Sequence, residues 1–421
     1  MRFPTRLLFL TLVIGVPDRE GLSAQANPAP DQTRSAVDIT PVSVRWNRLV
    51  PRLVDEAAVS RRAARTAAAG DSAALRRIAQ TPPPILFRVY TLLSIAQNGA
   101  VNSARDNRDV SSGAAVAGAS AAVLTVLFTD PTVRASIEQE LARDIEQART
   151  GSRGAERAAA GRRMGEDVAR RVIAWAPTVN FAAALNAIPT GQGMWYSVPG
   201  MPPGGAFLAK SRPWVLDSAA QFRPAPPPSF GSPEFQAALD EVRRVARERT
   251  QEQTKIAQRW NAADPWAVWN ETASAAIRRN RGSEAEAAQV LAVLNAAASD
   301  AITACFEAKY YYLTIRPSQT DSTLALADSV SLPNFPSYPS GHACSAGAFD
   351  AVLGHFFPNE RAQFTRIAEE QAMSRLFGGI HYRFDNDVGL ALGRIVGRHV
   401  VERERHAGFN AWRTTPVARQ R

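Results

Sequence analysis

The sequence predicts an all-α protein built of helical bundles, with few or no strands. Apolar residues recur at near-helical spacing through most of the chain, as in Trp46, Leu49, Leu53 and Ala57. Strand-like alternation is almost absent. Prolines and glycines fall mainly between the periodic runs, at Pro82-Pro83-Pro84, at Gly151 and Gly154, and at Pro317. About a dozen helices are expected.

In order, the pattern predicts helices over 42–75, 85–100 and 113–128. The third is rich in Ala, Val and Leu, and at sixteen residues it is too short for a bilayer. A long charged amphipathic pattern covers 131–175 and breaks near Gly151 and Gly154. Its run of Arg149, Arg153, Arg157, Arg162 and Arg163 reads as a solvated face. The stretch 188–233 is dense in Pro and Gly and holds Trp195, Tyr196, Trp214 and Phe222, which favours an ordered loop. A helix follows from Pro233 to about Arg259, then a loop-like segment with Trp260, Asp264-Pro265, Trp266 and Trp269. One or two helices occupy 283–315, opened by a Ser283/Glu286 capping box and stopped by Pro317. After a loop over 319–338, helices are expected at 343–357, 360–377 and 387–404.

The 421 residues suffice for a large core, and 45% hydrophobic with 21% charged residues excludes disorder. The net charge of +10 is carried mostly by Arg. It admits nucleic acid, an anionic membrane or an anionic substrate. No nucleic-acid motif and no aromatic-basic stripe is present, so nucleic acid is not an expected partner. Dispersed surface arginines account for most of the excess.

Arg2 and Arg6 precede the apolar run 7–16, and Ala24-Gln25-Ala26 offers small residues for cleavage. This predicts a signal peptide over 1–26, a mature chain from Asn27, and export to the periplasm or beyond the cell. Asp18-Arg19-Glu20 is unusual for such a peptide. The organisation expected is an N-terminal helical half (27–187), a connecting loop (188–233) and a C-terminal helical half (234–421). No integral membrane span is expected. Cys305 and Cys344 are either a disulfide or two buried thiols, and neither their spacing nor their neighbours suggests a metal site.

Chemistry concentrates in three pieces of the last third: Lys309-x6-Arg316-Pro317, Pro339-Ser340-Gly341-His342 and Ser374-Arg375-x5-His381-x3-Asp385. On a helix, Lys309 and Arg316 would sit two turns apart on one face, a point charge beside a planar fork. Ser340 suits an N-cap, and Gly341 lets backbone amides approach an anion at a helix N-terminus. His342 would stand over the same anion as acid or base. Asp385, four residues after His381, can accept from one ring nitrogen and leave the other free as ligand or nucleophile. Each piece alone has a structural explanation: surface cations, a capped helix, a helix-stabilising His–Asp pair. Together they make an oxyanion pocket that presents an imidazole. The remaining histidines, His355, His399 and His406, sit in bland contexts and are assigned to structure.

These three pieces, in this order, resemble the signature of the phosphatidic acid phosphatase type 2 and vanadium-dependent haloperoxidase superfamily. Twenty-one residues separate Pro317 from Pro339, and thirty-one separate His342 from Ser374. Arg259-Trp260 through Trp269-Asn270, the run 294–301 with Asp300-Ala301, and Asn334-Phe335-Pro336-Ser337-Tyr338 further resemble soluble bacterial vanadium haloperoxidase-related proteins. The resemblance implies that Lys309, Arg316, Ser340, Gly341 (through its N–H) and Arg375 bind the oxygens of vanadate or phosphate. It implies that His381 coordinates vanadium in a haloperoxidase or attacks phosphorus in a phosphatase. His342 would be the acid–base opposite, Asp385 would orient His381, and Asp264 would pair with Arg375. In a haloperoxidase Lys309 would also polarise bound hydrogen peroxide. Phe335, seven residues before His342, would form the halide environment and leans towards chloride oxidation.

The activity expected is that of an exported vanadate-dependent haloperoxidase, with vanadate as cofactor and hydrogen peroxide and halide as substrates. A soluble acid phosphatase acting on phosphomonoesters through a phospho-histidine is the alternative. A phosphate- or vanadate-binding protein with little turnover is a third. The absence of the several membrane spans carried by lipid phosphatases of the superfamily favours the first.

Overall fold

The computed structural model describes residues 40–72, 85–176 and 188–407, all within one unit, Thr40–Arg421. The expected signal peptide and the Pro82-Pro83-Pro84 break lie outside the described residues. Among those described there are thirteen α-helices and no strand. One isolated antiparallel bridge joins Met194 to Thr314.

The first five helices are α1 (Val42–Ala67), α2 (Leu86–Ala104), α3 (Ser112–Leu127), α4 (Pro131–Gln147) and α5 (Gly154–Trp175). After the connecting loop come α6 (Pro233–Glu248), α7 (Gln251–Ala262), α8 (Pro265–Arg279), α9 (Glu284–Tyr312) and the single turn α10 (Pro317–Thr320). The chain then forms α11 (Gly341–Phe356), α12 (Arg361–Phe377) and α13 (Arg383–Ala407). Helix starts are marked chemically. Ser111, Asp130, Ser232, Thr250, Asp264 and Ser283 each accept from a first-turn amide. The Ser283/Glu286 capping box forms as expected.

Three boundaries differ from expectation. The first helix ends at Ala67, not in the mid-seventies, because Gly70 turns the chain at φ 91°. The helix expected from Pro233 to Arg259 is two, divided at Arg249 by the cap of α7. The loop-like tryptophan segment is mostly helical. Asp264 caps α8 and Pro265 occupies its first position, so the Asp-Pro pair starts a helix rather than making a turn.

The core runs without interruption from Trp46 on α1 through Leu93 on α2 and Leu291 on α9 to Phe349 on α11 and Val396 on α13. Among the described residues α9 alone is long and apolar enough to cross a bilayer, and 94% of its apolar window is buried inside the protein. Cys305 and Cys344 are free, buried thiols.

The connecting loop is ordered, and its mooring is Asp300. This buried carboxylate on α9 accepts from the amides of Trp214, Val215 and Leu216 at 2.6, 2.8 and 3.0 Å. Burial pushes Asp300 up to about 6 against those three donors.

Helices α11 and α13 carry two parts of the motif region and cross closely. A Cβ on Gly393 would lie 2.0 Å from the Cys344 carbonyl oxygen, and one on Gly347 would lie 2.3 Å from that of Leu390. Backbone, not a movable side chain, occupies the space. Gly393→Ala should therefore lower stability by about 1–3 kcal/mol. Denaturant unfolding would read this as a lower midpoint, and an unchanged midpoint would refute the close crossing.

Candidate active site

Four helix ends and one loop deliver the motif residues. Lys309 lies in the last turn of α9, Arg375 in the last turn of α12, Gly341 at the start of α11, and Asp385 in the first turn of α13. Arg316 does not share a helix with Lys309, contrary to expectation. Helix α9 ends at Tyr312, Leu313 turns left-handed at φ 50°, and Arg316 is extended at φ −84°, ψ 157°. Pro317 opens α10 instead of stopping α9. The two cations converge because the chain doubles back, not because of helical spacing.

What aligns them is a rack of carbonyls. Lys309 Nζ donates to the carbonyls of Pro336 and Ser337, each at 2.8 Å. Arg316 Nε donates to the Phe335 carbonyl and its NH1 to that of Ile380, each at 2.8 Å. Lys309 thus has one of its three N–H bonds left over. Arg316 NH2, both Nε and NH1 of Arg375, and Ser340 Oγ are buried without a partner. Ser340 occupies the N-cap position but its hydroxyl makes no cap bond, so no side chain shields the first amides of α11, Gly341 included. Buried donors left unpaired in this number point to a ligand that accepts from all of them.

The electrostatics agree. Burial lowers Lys309 to about 8, Arg316 to about 9 and Arg375 to about 10. Burial first, then the neighbouring cations, holds both His381 and His342 well below the ordinary imidazole range. Both rings are therefore neutral at pH 7.

His381 Nδ1 lies 2.8 Å from Asp385 Oδ2. A carboxylate there accepts from Nδ1–H and leaves Nε2 with its lone pair, which accepts a long hydrogen bond of 3.4 Å from Arg316 NH1. The same Oδ2 accepts from the Ser337 hydroxyl at 2.6 Å and the Tyr382 amide at 3.1 Å. Burial raises Asp385 to about 6, opposed first by Ser337. His342 Nε2 is 3.3 Å from the Trp260 carbonyl, which can only accept, so Nε2 carries the proton and Nδ1 is the basic atom. Phe335 is half-buried, its ring 5.1 Å from Lys309 Nζ and 4.9 Å from Arg316 Cζ.

Every predicted pocket residue lies in this region except Asp264. It caps α8 through the amides of Trp266 and Ala267, and does not pair with Arg375. Burial alone shifts Arg375; no carboxylate raises it. Among the remaining histidines, His399 packs edge-on against Phe222 and His406 pairs with Glu402 at 2.6 Å.

Two supporting residues escaped sequence reasoning. Ser337 joins the Lys309 rack to the His381–Asp385 pair; the sequence marked it only as part of the resembling run Asn334-Phe335-Pro336-Ser337-Tyr338, with no role assigned. Gln371 is buried on α12 and donates to the His342 carbonyl at 2.9 Å while accepting from Trp269 Nε1 at 2.6 Å. Nothing local distinguishes that glutamine.

Residues 289–405, which hold every motif residue, match the PAP2 superfamily. The lipid A 1-phosphatases of Rhizobium etli and Rhizobium johnstonii are each 42% identical over 59 residues, 14% of this chain. The chain spans about a quarter of the length of these curated relatives, 25% and 24%. The crystal structure of a bacterial vanadium-dependent iodoperoxidase superposes with a TM-score of 0.69 at 23% identity, covering 88% of this chain and 98% of that one. An apo bacterial vanadium-dependent chloroperoxidase gives 0.61 at 11% identity, covering 76% and 94%. The motif-bearing region thus matches the PAP2 superfamily, and the all-α fold is similar to that of bacterial vanadium-dependent haloperoxidases.

The donor set fits phosphate and vanadate alike: cations, a hydroxyl and amides for the oxygens, and a neutral imidazole for the central atom. Anion binding here should follow Lys309. Its proton leaves the free protein as pH rises through about 8, and a bound dianion needs that proton. Sulfate, whose charge is constant in this range, should bind most tightly near pH 7 and progressively more weakly as pH rises through about 8. Calorimetry on Lys309→Met should show weaker binding at pH 7 and a smaller fall between pH 7 and 8.5, the loss near pH 9 being left to Arg316. Equal wild-type affinity at pH 7 and 9.5 would contradict the assignment.

Proposed function

We propose that this protein is an exported vanadate-dependent haloperoxidase that oxidises halide with hydrogen peroxide to hypohalous acid. The observation carrying this reading is the fold. The match to the bacterial vanadium-dependent iodoperoxidase takes in 98% of that chain, well beyond the PAP2-matching region of residues 289–405. The unpaired donors around His381 supply a pocket suited to vanadate.

Bound vanadate would supply a Lewis-acidic centre that activates hydrogen peroxide. This chain's residues do the rest. His381 Nε2 is the ligand atom, and Asp385 and Ser337 keep its lone pair aimed outward. Lys309, Arg316, Arg375, Ser340 and the Gly341 N–H hold the oxygens and stabilise developing negative charge. Lys309 would offer its remaining N–H to an oxygen of the bound group, and His342 Nδ1 would hold and release a proton beside it. Phe335 walls the cations from water and shapes the halide approach.

The local identity to lipid A 1-phosphatases supports a second reading, phosphomonoester hydrolysis. His381 Nε2 would attack phosphorus, His342 Nδ1 would take the proton carried by the monoanionic ester and pass it to the leaving oxygen, and the P–O bond to the alcohol would break. Water would then cleave the phospho-histidine.

The test is reconstitution of the purified full chain with orthovanadate. Halogenation of monochlorodimedone with peroxide and bromide or chloride, and oxidation of iodide, would be measured beside p-nitrophenyl phosphate hydrolysis without vanadate. Halide oxidation supports the first reading. Phosphate release with no halide oxidation under saturating vanadate selects the second.

Two variants check the assigned roles. His381→Ala should abolish either activity and weaken vanadate retention. Ser337→Ala, which loosens the Asp385–His381 pair, should lower kcat by about 10–100-fold. Unchanged turnover in His381→Ala would show that the role given to His381 is misassigned.

A further inference from the structure

Among the described residues nine large apolar side chains stand exposed, and five belong to one stretch of the connecting loop and its neighbour. Met194, Tyr196, Val198 and Met201 lie within eight residues of one another and are 37–52% exposed. Phe230, 39% exposed, adjoins them: a Cβ on Gly193 would stand 2.4 Å from Phe230 Cβ. Scattered exposed apolar residues need no explanation, but a concentration of them does.

The backbone of this stretch is fastened to the walls of the pocket. Trp195 N–H donates to the Leu313 carbonyl at 2.6 Å, and Ile315 N–H to that of Gly193 at 3.1 Å. Gln319 Nε2 donates to the Tyr196 carbonyl at 2.7 Å, while Gln319 Oε1 accepts from the Arg316 amide at 3.2 Å. Asn334 Oδ1 accepts from Val198 N–H at 3.0 Å, and its Nδ2 donates to the Pro202 carbonyl at 2.9 Å. Gly204 N–H donates to the Asn334 carbonyl at 2.7 Å, and a Cβ on Gly204 would lie 3.3 Å from the Phe335 ring. The loop thus spends its polar groups on Arg316 and Phe335, or on residues beside them, and leaves its apolar side chains facing water. On the far side Phe230 leads through Phe235 to Tyr382, next to His381.

We propose that this loop is the docking surface for the apolar part of an organic substrate, an alkyl or aryl group whose reacting end lies at the oxyanion pocket. The continuity of the patch with Arg316 and Phe335 carries the argument, and it rests on the reading of the pocket as an oxyanion site. It assigns the loop to the organic acceptor of the proposed haloperoxidase.

Calorimetry with methylphosphonate and hexylphosphonate on the full chain tests it without turnover. The hexyl compound should bind about tenfold more tightly or better. Tyr196→Ser/Val198→Ser/Met201→Ser should keep the methylphosphonate affinity and lose the gap. In the vanadate-loaded enzyme the same variant should raise KM for an apolar acceptor and leave iodide oxidation unchanged. Equal binding of both phosphonates to the wild type would overturn the inference while leaving the pocket intact. Binding of neither would overturn the pocket reading itself. Co-sedimentation with lipid vesicles that depends on these three side chains, without chain-length preference in solution, would reassign the patch to a membrane surface.

Discussion

Three cations buried with little negative charge beside them set the terms for this structure. Lys309 and Arg316 are wholly buried, and Arg375 is 3% exposed. Removing such charges from water costs several kcal/mol each unless something compensates. Asp385 is the nearby carboxylate, and it already serves Ser337, Tyr382 and His381. The carbonyls of Phe335, Pro336, Ser337 and Ile380 orient Lys309 and Arg316 without cancelling their charge. An arriving oxyanion meets dipoles and cations already in place, which is the arrangement that stabilises charge with least reorganisation. Burial first, and then the same field, keeps both histidines neutral, so His381 retains a lone pair.

The rest of the fold can be read as support for that unfavourable cluster. Helix α9 passes through the core and brings Lys309 to its end. The chain then turns at Leu313, crosses Thr314 to Arg316, and returns through 333–340 to start α11. The close crossing of α11 and α13 at Gly393 presses the Ser340–His342 turn against the helix that bears Asp385; the Ser340 amide donates to the Asp385 carbonyl at 2.9 Å. Gln371 ties α12, and with it Arg375, to the first turn of α11. Asp300 and Asn334 moor the connecting loop over the same region. Rigid helix ends hold the reactive groups, and the loop that differs most in composition faces outward.

Much of the architecture was legible locally. Helical periodicity, the Ser283 cap and the break between α4 and α5 are properties of neighbouring residues, and they appear as expected. Where punctuation has two meanings, local reading failed. Asp264-Pro265 starts a helix although Asp-Pro also favours turns, and Pro317 starts α10 although proline also ends helices. The placement of Lys309 and Arg316 on one face assumed that the helix continued, and Leu313 ended it. Asp264 was assigned to Arg375 by resemblance, but its carboxylate is taken up by two amides of α8. Ser337 stood out only as one member of a resembling run and Gln371 not at all, because both act through residues distant in sequence.

The sequence by itself determined which chemical groups are available: three cations, a serine and glycine before a helix, two imidazoles and an aspartate, in an order that resembles one superfamily. Residue identity sets charge, donor count and ring chemistry before any fold exists. Only the tertiary structure decided that these donors stay unpaired, that carbonyls rather than carboxylates align the cations, and that an apolar loop stands beside them. Those properties depend on desolvation and on which backbone groups come within hydrogen-bond reach. Both are fixed when distant segments pack, as when Pro336 and Ser337 close on Lys309.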